Sequence, residues 1–195
     1  MPAITSDDAT TADPLREDAR RNRLAIIDAA RELFAESADV PLCEVARRAG
    51  VGQATVYRNF SSRSMLAAEV LGEHVERFAR LAADHENDPD AFFVLLRALV
   101  ETVVQTHALS SLAREDACVG SRLELERERI AELMRRPLCD AKTAGTLRRD
   151  ASVDDVFLIL LMTKGAMERA PGAGARAAAA ARVLALALDG LAAGR

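Results

Sequence analysis

Tryptophan is absent from this chain, tyrosine occurs once, and aromatic residues make up 4% of its 195 positions. β-Branched runs are few, while alanine, leucine, arginine and glutamate dominate, so the composition gives little support to sheets and favours helix almost throughout. Cysteine is scarce as well. Cys43, Cys118 and Cys139 are odd in number, widely spaced and never arranged as Cys-x-x-Cys, which argues against a disulfide framework or a zinc site and suits a reducing cytoplasm. His74, His85 and His107 are too dispersed for a metal centre, so neither a metal nor a cofactor is expected.

The chain shows no apolar leader and no uninterrupted apolar run of membrane length, so a cytoplasmic protein with no membrane association is expected. Nucleophile elbows, zinc-protease helices and phosphate loops are missing too, which points away from an enzyme. Gly172-Ala173-Gly174-Ala175-Arg176-Ala177 fits G-x-G-x-x-A on paper, but no strand precedes it, and an inter-helical turn is the expected reading. An excess of positive charge is also lacking. Lys and Arg number 26 against 30 Asp and Glu, for a net charge of −4, which excludes a generic nucleic-acid coat and favours positive charge confined to one face.

Half of the residues are hydrophobic, ample for a buried core, and an all-α fold follows. Residues 1–18 are polar and acidic and are expected to form a disordered N-terminal arm. From Arg20, helical spacing of Leu24, Ile27, Ala30, Leu33 and Phe34 predicts a first helix ending near Glu36-Ser37. Val40 and Pro41 open a second that Gly50 stops after Ala49. Gly52 caps a third over Gln53 to Asn59, and Ser61 or Ser62 caps a fourth running toward Ala83.

Beyond the polar break 85–90, Phe93, Leu96, Val100, Val103, Val104 and His107 trace one apolar stripe. A short helix is expected over Ser110 to Cys118, and a charged one over Arg122 to Met134 that Pro137 kinks or ends. The last two helices are predicted at Val153 to Arg169 and Ala175 to Leu191.

The stretch Val45 to Phe60 reads as two short helices joined by a tight glycine turn, with Ala46 small enough for close helix approach and Val51 and Val56 as apolar contacts. Between Val45 and Ala68 lie Arg47, Arg48, Arg58 and Arg63 and no acidic residue. Together, Ala30-Arg31-Glu32-Leu33-Phe34-Ala35-Glu36, Val40-Pro41-Leu42, Ala49-Gly50-Val51, Thr55-Val56-Tyr57-Arg58-Asn59-Phe60 and Arg63 closely resemble the DNA-binding domain of the TetR (tetracycline repressor) family of transcriptional regulators. The resemblance covers roughly Arg20 to Leu71. It departs from the family pattern at Ser37-Ala38-Asp39, where a glycine is usual, at Asn59 in place of a histidine, and at Arg63 in place of a lysine. The last two exchanges keep a hydrogen-bond donor.

The resemblance implies an N-terminal three-helix helix-turn-helix domain at 19–65, followed at 66–195 by a larger helical ligand-binding and dimerisation domain. The protein it implies regulates transcription, as a repressor released by a small-molecule effector. The alternative is a helical homodimeric interaction protein without specific DNA binding. On the preferred reading the helix Gln53 to Asn59 enters the major groove of double-stranded DNA at a palindromic operator. Gln53 pairs with an adenine edge, Ala54 touches a thymine methyl, and Thr55 does that or bonds a phosphate. Arg58 reads guanine or neutralises charge.

Tyr57, Asn59 and Arg63 suit phosphates, and Arg47 and Arg48 flank the backbone. Arg20, Arg21 and Arg23 add phosphate contacts at the start of the first helix. Each has a plainer rival: Phe60 as packing, Tyr57 with ring inside and hydroxyl out, Arg47 and Arg48 as a solvated face. Phe78, Phe93, Leu96, Val100, His107 and Phe157 are candidates for the effector pocket, as are Val103, Met134 and Met162, although an ordinary core needs the same residue types. Cys118 and Cys139 are read as buried, inert thiols. Apolar residues on more than one side of the final helix point to a homodimer through the last two helices.

Overall fold

The computed structural model describes residues 14–109 and 117–192, which form eight helices. These are α1 Pro14–Glu36, α2 Leu42–Ala49, α3 Gln53–Asn59, α4 Arg63–Asp84, α5 Ala91–Gln105, α6 Ala117–Thr143, α7 Val153–Glu168 and α8 Gly172–Leu191. The all-α expectation holds.

Where helices start differs from the sequence reading in physically simple ways. Residues 1–13 of the expected arm, and most of the expected helix Ser110 to Cys118, lie outside the described residues. Pro14 to Asp18, expected within the arm, already belong to α1, with Pro14 at the first helical position and Glu17 in the first turn, where its charge suits the helix dipole. Pro41 is the residue that caps α2 rather than its first helical residue. The last helix begins three residues early, at Gly172.

Pro137 neither ends α6 nor interrupts it. The helix runs on to Thr143, because Met134, Leu138 and Ala141 on both sides of the proline are buried in one core, and their burial offsets the roughly 3 kcal/mol that an interior proline costs. The stripe on α5 is also rotated. Ala91, Phe92, Leu95, Leu96, Leu99 and Val100 are the buried residues, and Phe93, Val103 and Val104 are only partly covered.

Two hydrophobic clusters organise the chain. The first joins Ile26, Ile27, Ala30 and Phe34 of α1, Leu42, Val45 and Ala46 of α2, Val56 of α3 and Phe60. It also takes Leu66, Ala67 and Val70 from the first half of α4. The second lies among α4 to α8 and includes Phe78 of α4, Leu96, Met134, Val156, Ile159 and Leu184. The expected boundary at 65/66 therefore falls inside one continuous helix, and α4 is the element common to both cores.

Ser62 starts α4 by accepting from the Met65 N–H at 3.1 Å, and Ser152 starts α7 through a capping box with Asp155. No helix among the described residues is long and apolar enough to cross a membrane.

Candidate nucleic-acid interface

Gly50 makes the turn between α2 and α3. Its φ of +67° is left-handed backbone, and the chain folds back so that the Val51 N–H donates to the Ala46 carbonyl at 3.1 Å. Val45, Ala46 and Val56 are at most 1% exposed, and burying a valine contributes about 2 kcal/mol. With Val56 pinned inward, Gln53, Ala54, Tyr57 and Arg58 stand together on the outer side of α3, while Thr55 and Asn59 are half-buried at its margins. Four candidate contact residues thus share one solvent-facing surface of a helix narrow enough for the major groove.

One of them differs from expectation. Tyr57 is 55% exposed, so its ring is not packed inside, and Phe60, at 3%, is the aromatic that locks α3 to the core. Asn59 donates from its amide nitrogen to the Thr55 carbonyl at 2.8 Å, which spends one of its two N–H bonds within α3. Arg58 donates to the Thr55 hydroxyl at 3.0 Å.

In the acid-free segment 45–68, Arg47, Arg48 and Arg63 pair with carboxylates that lie outside it. Arg47 Nε donates to Glu44 at 2.9 Å, and this bond holds the Glu44 carboxyl below its ordinary range. Arg48 Nε reaches Glu32 of α1 at 3.0 Å. Arg63 lies 3.5 Å from Asp39 in the α1–α2 connection. Arg23 pairs with Glu69 at 3.1 Å while its guanidinium sits 4.6 Å above the Phe60 ring, and Arg21 pairs with Asp18 at 3.2 Å. Exposed pairs of this kind are weak, typically 0–1 kcal/mol, so an incoming phosphate can replace the carboxylate. Glu44, three residues before Arg47, was legible as its partner; Glu32 and Asp39 were not, because they come from other elements.

A cavity of about 700 Å³ lies among α4, α5, α6 and α7. Leu71, His74 and Val75 of α4, Leu99, Thr102 and Thr106 of α5, and Phe157 of α7 contribute to its wall. Of the six pocket candidates, Phe157 is in this wall, and the Arg127 guanidinium lies 4.5 Å above its ring. Phe78, Leu96 and Val100 are buried core, Phe93 packs against that core, and His107 lines a second cavity of about 420 Å³ with Glu36, Ser37, Gln105 and Arg176. Burial and the nearby Arg176 lower the pKa of His107, and its Nδ1 is buried without a hydrogen-bond partner. Of the further candidates, Val103 is in the first cavity's wall, Met134 is core and Met162 is exposed.

Sequence reasoning set His74 aside as one of three scattered histidines. It is 6% exposed in the cavity wall, accepts at Nδ1 from Arg77 at 3.0 Å, and is pushed by burial to a pKa of about 4, so it is a neutral Nε2–H donor. Glu126, 7% exposed and also in the wall, has Arg122 Nε 2.5 Å away. Arg122 in turn lies so close to Gly72 of α4 that a Cβ there would meet its Nη2 at 2.2 Å. Thr102 and Thr106 donate their hydroxyl protons to carbonyls of α5, which leaves them as acceptors toward the cavity.

Cys43 and Cys139 are free and exposed, so Cys139 is not the buried thiol expected, and Cys118 has no described side chain. Among the described residues no three His, Cys, Asp or Glu side chains group as a metal site.

Comparison with known proteins agrees with this layout. Residues 26–70 match the family described as bacterial regulatory proteins, tetR family, and residues 88–193 match the C-terminal domain described as transcriptional regulator SbtR-like. A TetR transcription regulatory protein from Mycobacterium vanbaalenii is 30% identical, with a TM-score of 0.68 over 92% of this chain and 99% of that one. A TetR transcriptional regulator from Streptomyces coelicolor is 27% identical, with a TM-score of 0.69 over 89% and 99%. Among curated proteins, an HTH-type transcriptional regulator of Staphylococcus aureus (strain USA300) is 27% identical over 101 residues. That match spans 49% of this chain and 55% of the curated relative.

Proposed function

The chain belongs to the TetR family of bacterial regulatory proteins, and from that premise we propose that it is a homodimeric, sequence-specific DNA-binding regulator of transcription, a repressor released by a small molecule. The observation that carries this reading is the exposed row Gln53, Ala54, Tyr57 and Arg58 on α3, fixed from behind by fully buried Val56 and flanked by arginines in replaceable ion pairs. Gln53 and Ala54, with Thr55 and Arg58, read base edges. Tyr57, Asn59, Arg63, Arg47 and Arg48 hold phosphates and set the register.

Residues 19–65 with the first half of α4 act as the reading head, and the remainder as the effector and dimer domain. Leu158, Leu161 and Met162 of α7 and Leu186 of α8 are 46–65% exposed, which supports a four-helix interface made from α7 and α8 of two copies. The dimer presents two heads to half-sites about 34 Å apart. The effector occupies the cavity beside α4, in the 300–1,000 Å³ range usual for small ligands. Because α4 is shared by both cores, a ligand that shifts it also shifts α3. The setting is the cytoplasm, where the chromosome is.

The test compares two variants on a panel of duplexes. Arg63→Ala weakens binding to every sequence and flattens the salt dependence by about one unit, whereas Gln53→Ala relaxes preference at one position per half-site. Equal losses on all sequences for Gln53→Ala would remove its base-reading role.

A further inference from the structure

We propose that the cavity of one copy is completed by α7 of a second copy, so that an apolar small molecule is enclosed only in the dimer. The inference rests on reading the cavity as the effector site and α7–α8 as the dimer face. It goes beyond both in making them one surface.

The helix α7 carries two apolar faces. At 3.6 residues per turn, Phe157, Leu160 and Lys164 fall on one side, and Leu158, Met162 and Gly165 fall about a quarter turn or more further round. The first three are in the cavity wall, and the second three are exposed. Leu161 lies between the two sets; it is in the wall and is 65% exposed, and Leu158 likewise is in the wall and 52% exposed. A leucine enclosed by its own chain is covered by its neighbours. These two are not, so the apolar part of the lining on α7, Phe157, Leu158, Leu160 and Leu161, passes into the apolar outer face, while Glu124, Glu126, Arg127, Asp154 and Lys164 form the charged part of the wall.

From Phe157 to Thr163 the helix carries no charged residue, and α8 continues the surface with exposed Ala181, Ala185 and Leu186. Such a helix needs cover on two sides, and the described residues of one copy supply one.

The size of the face fits a second copy. Helices of 16 and 20 residues are about 24 and 30 Å long, and lying about 10 Å apart they present an area on the order of 500–600 Å² in projection. Accessible area exceeds projected area, which brings the face near the roughly 800 Å² per partner of a standard protein interface. Leu158 and Leu161 then touch the partner on one side and the ligand on the other. By linkage, dimerisation raises ligand affinity by the same factor that ligand raises dimer affinity.

The experiment uses the full chain and N-phenylnaphthylamine, a neutral apolar dye, as probe. Met162→Glu combined with Leu186→Glu charges the outer face at two residues outside the cavity wall. Sedimentation velocity is expected to show a monomer, circular dichroism an unchanged helix content, and dye titration a loss of affinity of about ten-fold or more. Should the double variant lose its fold, dilution of the unaltered chain through its dimer dissociation serves instead, with dye affinity expected to fall in step with the monomer fraction.

Because the chain has no tryptophan, Leu161→Trp adds a single reporter. Its emission should be blue-shifted in the dimer, quenched there by energy transfer to the dye, and red-shifted in the monomer. A folded monomer that binds dye within about two-fold of the dimer overturns the proposal and leaves the α7–α8 dimer standing. A double variant that remains dimeric overturns the proposal together with that dimer face. A dimer that takes up no dye overturns it together with the reading of the cavity.

Discussion

Arg31 of α1 donates to Glu73 of α4 at 2.5 Å, with both side chains little more than a quarter exposed. Burial disfavours the charged guanidinium, yet the hydrogen bonds to Glu73 and to Asp28 outweigh it and hold the Arg31 pKa above its ordinary value. The pair ties the first helix of the reading head to the helix that runs on past the cavity. His74, the neighbour of Glu73, is already in the cavity wall.

Glu73→Gln keeps a carbonyl acceptor for Arg31 but removes the carboxylate charge, so that Asp28 is the one anionic partner left to it of the two. The expected cost is about 1 kcal/mol, read as a lower urea midpoint with an unchanged m-value. A change confined to the m-value would mean that the denatured state, and not this tie, responds to the substitution.

Carboxylates that pair with the DNA-contacting arginines compete with phosphate. Glu32→Gln and Glu44→Gln release Arg48 and Arg47 respectively, and each is expected to tighten binding to a mixed-sequence duplex by about two-fold to a few-fold, as suits a weak exposed pair. Fluorescence anisotropy at two salt concentrations measures it. Unchanged affinity in both variants would place these arginines away from the DNA.

His74 gives the fold an acid sensitivity. The unfolded chain takes up this proton below about pH 6.5, whereas the folded chain refuses it until about pH 4, chiefly because of burial and secondarily because of Arg77 and Arg31. Unfolded molecules therefore bind more protons across that window, and stability rises with pH through it and falls on acidification, by roughly 3 kcal/mol at most. His74→Gln keeps an acceptor for Arg77 and is expected to remove this component from the pH dependence between pH 6.5 and 4. Identical profiles for the variant and the parent would show that His74 contributes none of it.

Gly50→Ala tests the turn. The position has open space around it but a φ of +67°, so the cost is backbone strain alone, about 1 kcal/mol, and Gly50→Asn is expected to cost less. Thermal denaturation of both variants measures the difference. A stabilised Gly50→Ala protein would contradict the left-handed turn.

The reading head was legible because its signals are local. Gly50 and Gly52 fix the start of α3, and the serines that open the next helix fix its end, so its expected limits, Gln53 and Asn59, are those observed, and the apolar residues that hold it lie within a few positions of the turn. The start of α1 was hidden for the opposite reason: Arg16 to Arg21 are exposed, and their mostly charged sequence gives no apolar period. Pro137 misled because a local penalty was weighed without the burial of Met134, Leu138 and Ala141 around it.

Much of the cavity and the charge balance of the DNA face depend on residues brought together from separate helices. Glu32 beside Arg48, and Arg122 over Gly72, have no counterpart in sequence spacing, whereas Arg122 and Glu126 stand one helical turn apart on α6. Phe78, Leu96 and Val100 have the character of pocket residues but point into the core.

Whether α3 of two copies reads a paired site on DNA is measured by incubating the purified chain with sheared fragments of its own chromosome, and weighing the retained complexes by light scattering. The expected result is a small set of retained fragments that share an inverted repeat, two chains per half-site pair, and an affinity that falls steeply as salt is raised. A chain that stays monomeric, and retains no fragment even at low ionic strength, would contradict it.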